Sequence, residues 1–263
     1  MRVAPGDVAT LLAIGGVGGE GVRGNPEKVQ QIRRELGLNR PLVVQYGAWI
    51  SDFARGHWGT SLWNQQPVTT LLVRRYPVTL ELALLAMLLS FIIAIPAGVL
   101  SAVKQDTFID HGARVLASLG LAIPHFWLGI MIIYLLAAYA GWIPSMSYAT
   151  LWESPGRNLS QLIFPALVIG SGQAAILTRM MRSTLLDVVR EDYIRTAYAK
   201  GLSGGVVLRR HALKNAMIPV VTIAGVNLGH LIGGSLVTEV VFNLPGLGNA
   251  LVEGVQNRDY PVV

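Results

Sequence analysis

The sequence predicts an all-α polytopic membrane protein, a bundle of helices that cross the bilayer. The chain has 263 residues, of which 52% are hydrophobic and 14% charged, and its mean hydropathy is +0.49. This composition is too apolar for a soluble domain of the same length. Several runs lack charged residues, and each is long enough for a helix to cross roughly 30 Å of hydrocarbon. These runs are 82–103, 115–143, 158–178 and 215–238.

Residues 1–78 are predicted to form an external loop with short amphipathic helices. Asn25 can cap a helix that begins at Pro26 and ends at Gly37, and a second helix follows Pro41. The stretch 16–21 matches the G-x-G-x-x-G pattern of dinucleotide-binding turns, but no strand-helix-strand unit follows it, and we interpret it as a loop. Each helix has an apolar face, formed by Val29, Ile32 and Leu36 in the first and by Val43, Tyr46, Ile50 and Phe53 in the second.

Residues 79–263 are predicted to form the transmembrane domain. Pro96, Pro124 and Pro165 lie within or near its spans, where each removes a backbone donor and bends the helix. We therefore expect bent, packed helices around a pathway. The predicted spans are about 80–103, 115–141, 160–182 and 216–240.

Basic residues predict which loops face the cytoplasm. Residues 179–214 contain eight lysines and arginines but three acidic residues, so the loop 183–215 is predicted to be cytoplasmic. The short loop with Lys104 and Arg114 falls on the same side, and residues 141–157 and the tail after Glu239 fall outside. The N-terminal segment is placed outside despite its nine basic residues, because the charge rule weakens for loops longer than about 60 residues.

The cytoplasmic loop is predicted to be a helix, a glycine turn and a second helix. Leu186, Val189, Tyr193 and Ala197 recur at helical spacing, and Gly201 follows where a helix would stop. The second helix is predicted over about 206–215. Such a projection is typical of a surface that another protein binds. An ordinary cytoplasmic loop that its charges keep soluble has the same pattern.

This loop resembles the EAA loop of permease subunits in bacterial ABC importers. In the general pattern, a Glu-Ala-Ala triplet is followed by an invariant glycine and then by Ile-x-Leu-Pro. On this chain the triplet falls on Arg195, Thr196 and Ala197, the glycine on Gly201 and the leucine on Leu213.

The departures from that pattern indicate one branch of the family. Arg195 replaces the glutamate, His211 the isoleucine and Lys214 the proline. The first and last changes are usual in the dipeptide, oligopeptide and nickel branch, where the proline is displaced to Pro219. The N-terminal sequence GTSLWNQQPV also resembles this branch.

The N-terminal segment has three tryptophans that could contact a peptide or its binding protein: Trp49, Trp58 and Trp63. Tryptophan is also common at the lipid interface, and we favour this second interpretation.

The resemblance implies the membrane-spanning permease subunit of an ATP-driven importer in the bacterial inner membrane. The implied partners are a second permease subunit, two ABC ATPases that bind ATP and Mg, and an external binding protein. This chain is expected to bind no cofactor or metal and to catalyse no reaction. Related permeases serve peptides, glutathione, nickel or sugars, and the sequence does not choose among them. The expected ATPase-coupling residues are Arg195, Thr196, Ala197, Lys200, Gly201 and Leu213.

Polar side chains within the spans either line a translocation path or join helices by hydrogen bonds. These candidates are His125, Gln173, Asn227 and His230. Two overlapping G-x-x-x-G steps indicate close packing within the subunit or against its partner permease. Their glycines are Gly225, Gly229 and Gly233.

The C-terminal sequence TEVVFNLPGLGNAL resembles a peptide-permease signature. It is expected to form an external turn that re-enters or caps the bundle, with Glu239, Pro245, Gly246 and Gly248 as its key residues. In the family that this chain resembles, a first spanning helix precedes the sequence that matches Arg2–Asp7. A last spanning helix follows the position that matches Val263. We therefore expect that the first and last spans of a six-helix subunit are absent from this chain.

Other functional classes are less consistent with the sequence. Gly233-Gly234-Ser235 near His230 could suggest an intramembrane serine protease, but no G-x-S-x-G element, His-Glu-x-x-His pair or phosphate-binding Gly-Lys-Thr/Ser loop occurs. No basic-aromatic nucleic-acid module is present. An ion-coupled carrier would need intramembrane carboxylates and internal repeats, but the uncharged runs contain no carboxylate and we find no repeat. A membrane scaffold without transport is the other alternative.

Overall fold

The computed structural model of the chain describes residues 8–13, 26–145 and 147–263. Regular secondary structure in these residues is helical, apart from an isolated β-bridge between Thr60 and Pro67, and the predicted all-α class is confirmed. The motifs at residues 2–7 and 16–21 and the capping residue Asn25 lie outside the described residues.

The chain divides into two compact units, residues 1–77 with 249–263 and residues 78–248. In the first unit, α2 begins at Pro26 as predicted and is followed by Gly37 at φ +65°. The helices of this unit's N-terminal part are α1 (Val8–Ala13), α2 (Pro26–Glu35) and α3 (Leu42–Ala54).

The predicted apolar face of α3 is exposed within its unit. Val43 is 82% exposed, and Tyr46, Ile50 and Phe53 are also exposed. The rings of Tyr46, Trp49, Phe53 and Trp58 stack in series, with centroid separations of 6.0, 5.8 and 5.1 Å. This face matches the aromatic composition of a membrane interface.

The C-terminal tail packs on the loop that follows α3. Ser61 donates a hydrogen bond to the Asp259 carboxylate, and the Leu62 N–H lies 3.0 Å from Asp259 Oδ1. Trp63 Nε1 donates to the Asn257 carbonyl at 2.8 Å. Because these segments are in contact, they lie on the same side of the membrane. That this side is the outer one stays a prediction.

The second unit contains the long apolar helices. α4 is 36 residues long and begins twelve residues before the predicted start of the first span. It contains the acidic residue Glu81, which directly precedes the uncharged run 82–103. The helices that follow α3 in the chain are α4 (Val68–Val103), α5 (Phe108–Ala122), α6 (His125–Ala140), α7 (Pro155–Val189), α8 (Asp192–Ala199), α9 (Gly204–Val206), α10 (Leu213–Gly234), α11 (Leu236–Val241) and α12 (Leu247–Gln256). The part of α4 before Val78 and the part of α12 from Asn249 belong to the first unit.

The run predicted as the second span is not one helix. α5 and α6 meet at an angle of 98°. Pro124 is the N-cap of α6, and its ring removes the backbone donor that would continue α5. By contrast, α4 and α7 continue through Pro96 and Pro165. The proline pattern therefore indicated where bending is possible but not where the helix breaks.

α7 is the central helix of the second unit. It packs against α5, α6 and α10, and its side chains Leu177, Met181 and Leu185 are fully buried. Gly98 lets α4 approach α7 closely, because an added Cβ at this position would lie 2.6 Å from Met181 Cβ. Among the described residues, three helices are long and apolar enough to cross a membrane, or four if α5 and α6 form one broken span.

The helices around the predicted cytoplasmic loop differ from the sequence prediction. α7 ends at Val189, and α8 begins three residues later, so the face predicted across Leu186, Val189, Tyr193 and Ala197 spans two helices. The second predicted helix does not end at Asn215. It continues from a π-helical turn at Val207–Ala212 directly into α10, because no breaker intervenes. The last predicted span is interrupted at Ser235.

Candidate functional site

The residues between α7 and α10 form a compact projection, which we call the coupling segment (residues 190–212). α8 packs against the π-helical turn, and the buried side chains between them are Ile194, Ala197, Val207 and Ala212. Gly201 ends the first helix with φ +80°, a conformation that glycine adopts without a steric penalty. These side chains belong to the same hydrophobic core as those of α7 and α10, so the segment is packed onto the bundle rather than being an open loop.

The predicted coupling residues divide into an exposed and a buried group. Arg195, Thr196, Lys200 and Gly201 are exposed. Ala197 is only 6% exposed and faces the interior of the segment, and its direct contact with a partner stays a prediction. Leu213 is half-buried at the start of α10.

The exposed surface of the coupling segment also carries large apolar side chains that the sequence analysis missed. Tyr198 is 49% exposed and Val206 41% exposed, and Tyr193 and Leu202 are also exposed. Arg209 and Arg210 lie nearby in the chain on the exposed side of the π-helical turn. Apolar rings beside basic groups are a common composition at protein–protein contacts.

A hydrogen bond connects the coupling segment to α10, and a second one joins α10 to α7. Asn215 Nδ2 donates to the Tyr193 hydroxyl at 2.7 Å, which joins α8 to α10. Thr184 Oγ1 lies 3.0 Å from the carbonyl oxygen of Ala216, which joins α7 to α10. A displacement of the segment would therefore reach α10 directly and α7 through α10.

The polar residues of the spans are not gathered into one site. Asn227 Nδ2 donates to Gln173 Oε1 at 2.9 Å and thereby joins α10 to α7. The His125 ring lies against Gly172, where there is no room for a Cβ. His230 is exposed on α10. The structure thus gives Gln173 and Asn227 the helix-joining role, one of the two roles left open by the sequence.

We expect Asn227→Ala to lower stability by about 1 kcal/mol, because interhelical hydrogen bonds in membranes contribute roughly 0.6 kcal/mol and up to about 2. Thermal unfolding of the purified protein measures this loss. Thr222→Ala is the matched control, since Thr222 bonds only to the Ile218 carbonyl of its own helix. Additive effects of Asn227→Ala and Gln173→Ala in a double-mutant cycle would contradict a direct contribution from the pair.

The glycine steps of α10 are open. An added Cβ at Gly225, Gly229 or Gly233 would meet no atom within 4 Å among the described residues. The neighbouring Val221 and Val226 are more than half exposed. The packing predicted for this face therefore does not occur within the described part of the subunit, and packing against a second permease stays a prediction.

A buried ion pair, which the sequence analysis missed, joins three helices. Arg182 of α7 makes two hydrogen bonds of 2.7 Å to the Asp110 carboxylate of α5. Ser101 of α4 donates to the same carboxylate at 2.6 Å, and Asp110 is fully buried. Asp110 lies five residues before the predicted second span, and α5 carries it into the bundle. One aspartate and one arginine 72 positions apart form no sequence motif, so the pair could not be found from the sequence.

The C-terminal signature is organised around Glu239. This residue lies in α11, not in the turn, and is fully buried. Its carboxylate accepts hydrogen bonds from Thr79 at 2.8 Å and Ser235 at 2.7 Å. Pro245 and Gly246 lie in the connection to α12, and Gly248 lies in the first turn of α12. A Cβ at Gly246 would lie 2.6 Å from Glu239 Oε1. The glycines are therefore needed beside the carboxylate.

We expect Gly248→Ala to destabilise the protein by about 1–3 kcal/mol, which is typical of overpacking. The added methyl would lie 2.9 Å from Leu236 Cβ and 3.0 Å from Glu239 Oε2. Gly112→Ala is the matched control, since nothing lies within 4 Å of that position in helix α5. The unfolding temperatures of both variants test this expectation, and an equal change in the two would contradict it.

A second polar cluster lies beside the loop after α6. Tyr148 donates to Glu81 Oε2 at 2.7 Å, and Asn158 Nδ2 donates to the same oxygen at 3.0 Å. Burial raises the pKa of the Tyr148 hydroxyl, and its hydrogen bond to Glu81 raises it further. Glu81, Asp110 and Glu239 are acids of the helical bundle that the predicted apolar runs did not include, and each is hydrogen-bonded.

Comparison with known proteins identifies the family. Residues 94–263 match the family of binding-protein-dependent transport system inner membrane components, and residues 3–83 match the N-terminal part of such components. The chain belongs to this permease family. The resemblance of the coupling segment to the peptide branch of ABC importer permeases is therefore confirmed, and the permease is a multi-pass protein of the bacterial inner membrane.

Two relatives show how far this permease matches characterised family members. It is 41% identical to the oligopeptide transport system permease protein AppB of Bacillus subtilis, with 100% of this chain and 82% of AppB covered. It is 38% identical to the dipeptide transport system permease protein DppB of Escherichia coli, with 100% and 83% covered.

Solved structures support the same fold. The MetNI methionine ABC transporter in an inward-facing conformation matches with a TM-score of 0.54 and 23% identity, over 71% of this permease and 81% of that chain. An amino acid ABC transporter matches with a TM-score of 0.52 and 15% identity, over 74% and 83% of the two chains. At these identities the matches establish the fold alone.

Proposed function

We propose that this permease imports peptides or similar small solutes, and that partner ATPases drive it through the coupling segment. The observation that carries the proposal is a projection that is packed onto the core of the bundle and has an exposed apolar and basic surface. Its relatives AppB and DppB are named for oligopeptide and dipeptide transport, which supports the substrate class. ATP and Mg belong to the ATPases, and this chain binds neither.

The proposed mechanism is alternating access. When ATP brings two ATPases together, each moves the coupling segment that it holds. Asn215 links the segment to α10, and Thr184 links α7 to α10, so the motion reaches the bundle and opens it to one side at a time. A second permease subunit, packed on the open glycine face of α10, would complete the pathway. An external binding protein would deliver the cargo to the unit that contains residues 26–77.

The membrane topology is tested by single cysteines, because the chain has no cysteine of its own. We expect Lys200→Cys to react with an impermeant maleimide only after the cells are opened. Trp152→Cys, an 89% exposed position in the loop predicted to lie outside, is the matched control and should react in intact cells. Labelling of Lys200→Cys from outside would contradict contact with a cytoplasmic ATPase.

Transport is tested with the assembled complex in proteoliposomes. The permease, its second permease, the ATPases and the binding protein are reconstituted together, and uptake of a labelled dipeptide is measured. We expect ATP-dependent uptake and stimulation of ATP hydrolysis by the binding protein with its cargo. Uptake driven by an ion gradient without ATP would favour a secondary carrier, and no stimulation of the ATPases would favour a scaffold.

A further inference from the structure

A basic groove between α5 and α7 is not used by the proposed mechanism. The groove has a volume of about 1030 Å³ and opens onto the surface of the second unit. Its lining includes four basic side chains and no acidic one. The basic residues are His111, Arg114, Arg179 and Arg182.

The charge of the groove is only partly neutralised. Arg182 is paired with the buried Asp110 at 2.7 Å, whereas Arg114 lies 3.8 Å from that carboxylate and is half-exposed. Arg114 also donates a hydrogen bond to His111 Nδ1, which holds its guanidinium beside the groove. Arg179 is exposed and has no ion pair among the described residues. Arg114 and Arg179 are therefore available to an anion.

Apart from Ser118 and Ser183, the remainder of the lining is apolar, and most of it lies toward the other end of the groove. α5 carries Val115, Leu119 and Leu121 after its basic first turns, and these side chains are 58%, 49% and 43% exposed. α7 runs in the opposite sense, with Ile176 before Arg179 and Arg182. Both helices thus place charge at one end and hydrocarbon at the other. If α8 lies in the cytoplasm, as the proposed function requires, the basic end is at the inner membrane surface.

We propose that this groove binds an anionic phospholipid of the inner leaflet. The phosphate is held by Arg114 and Arg179, and an acyl chain lies along Leu119, Leu121 and Ile176. A basic end at headgroup depth and an apolar wall below it match the two parts of a phospholipid, and basic pockets between helices on the cytoplasmic side bind such headgroups. Free phosphate would use the arginines but not the apolar wall.

The test measures lipid binding to the full chain in its purified complex, after detergent has removed native lipid. Phosphatidylglycerol is titrated in micelles, and bound lipid is counted by native mass spectrometry. We expect Arg114→Gln with Arg179→Gln to weaken phosphatidylglycerol binding at least about tenfold, since each basic group near an anionic headgroup contributes roughly a fivefold change. Arg209→Gln with Arg210→Gln is the matched control, because these exposed arginines lie outside the groove.

Several outcomes would overturn the assignment. Equal phosphatidylglycerol binding by both double variants, or equal binding of phosphatidylcholine and phosphatidylglycerol, would exclude an anionic-lipid site. Displacement of the lipid by millimolar inorganic phosphate would identify a soluble-anion site. Cross-linking of Ser118→Cys in the groove to the second permease would mean that a protein covers it. If the double variant unfolds, lipid binding is measured with Arg179→Gln alone, because Arg179 is exposed. Reduced phosphatidylglycerol binding by this variant supports the site, and unchanged binding refutes it.

Lipid binding is measured without ATP or cargo, so its result does not depend on transport. A permease that imports peptides but retains no phosphatidylglycerol refutes only the lipid site. A permease that retains the lipid but shows no ATP-driven uptake refutes only the proposed function.

Discussion

Replacing Gly201 with valine is expected to abolish ATP-driven uptake while membrane insertion stays normal. Gly201 has φ +80°, and a β-branched residue in this region is strained by about 1–3 kcal/mol. The strain falls on the turn between α8 and α9, which sets the position of α8 against the π-helical turn. Since no atom lies within 4 Å of an added Cβ, the effect comes from the backbone and from a partner rather than from crowding within the described residues.

Two variants separate the backbone effect from loss of a partner contact. Gly201→Asn introduces a side chain that tolerates a positive φ, so this variant should retain most uptake if only the backbone matters. If an ATPase contacts this position closely, Gly201→Asn should lose ATP-driven uptake as well. Gly205→Val is the matched control, because Gly205 lies in the same exposed segment, has no atom within 4 Å of an added Cβ and has no positive φ.

The measurement is uptake of labelled dipeptide into proteoliposomes that contain the assembled complex, together with the amount of permease in the membrane. Full uptake by Gly201→Val would contradict a role for the coupling segment in transmitting motion. Loss of the protein from the membrane would instead place the effect in folding. The comparison of Gly201→Val with Gly205→Val therefore needs equal amounts of inserted protein.

Replacing Arg182 with methionine is expected to destabilise the bundle by about 1–3 kcal/mol. The substitution removes both hydrogen bonds of the bidentate contact with the buried Asp110 carboxylate, and only Arg114 at 3.8 Å remains as a cation beside it. Ser101 and the Asp106 N–H still donate to Asp110. Thermal unfolding and the yield of monodisperse protein in detergent measure the loss.

Arg114→Met is the matched control for this pair. Its guanidinium lies 3.8 Å from Asp110 and is half-exposed, so we expect a change of less than about 1 kcal/mol. The double variant Asp110→Leu with Arg182→Met removes both charges and should recover most of the stability. Equal unfolding temperatures for Arg182→Met and Arg114→Met would show that the buried pair does not hold the three helices together.

Local sequence features determined much of this protein. Uncharged runs predicted an all-α membrane bundle because only helices satisfy every backbone polar group of such a run in hydrocarbon. Pro26 and Gly201 marked helix ends, since their backbone preferences act within one or two residues. The motif around Gly201 indicated the family, which the comparisons confirm.

Only the tertiary structure decided how these elements combine. The 98° break between α5 and α6 lies inside an uncharged run, so composition did not reveal it. Ala197 faces inward because Ile194 and Val207 pack beside it in the coupling segment. Asp110 meets Arg182 across 72 positions of sequence. Local patterns determine backbone conformation and burial tendency, whereas the partner of a buried charge depends on contacts between helices that are distant in the chain.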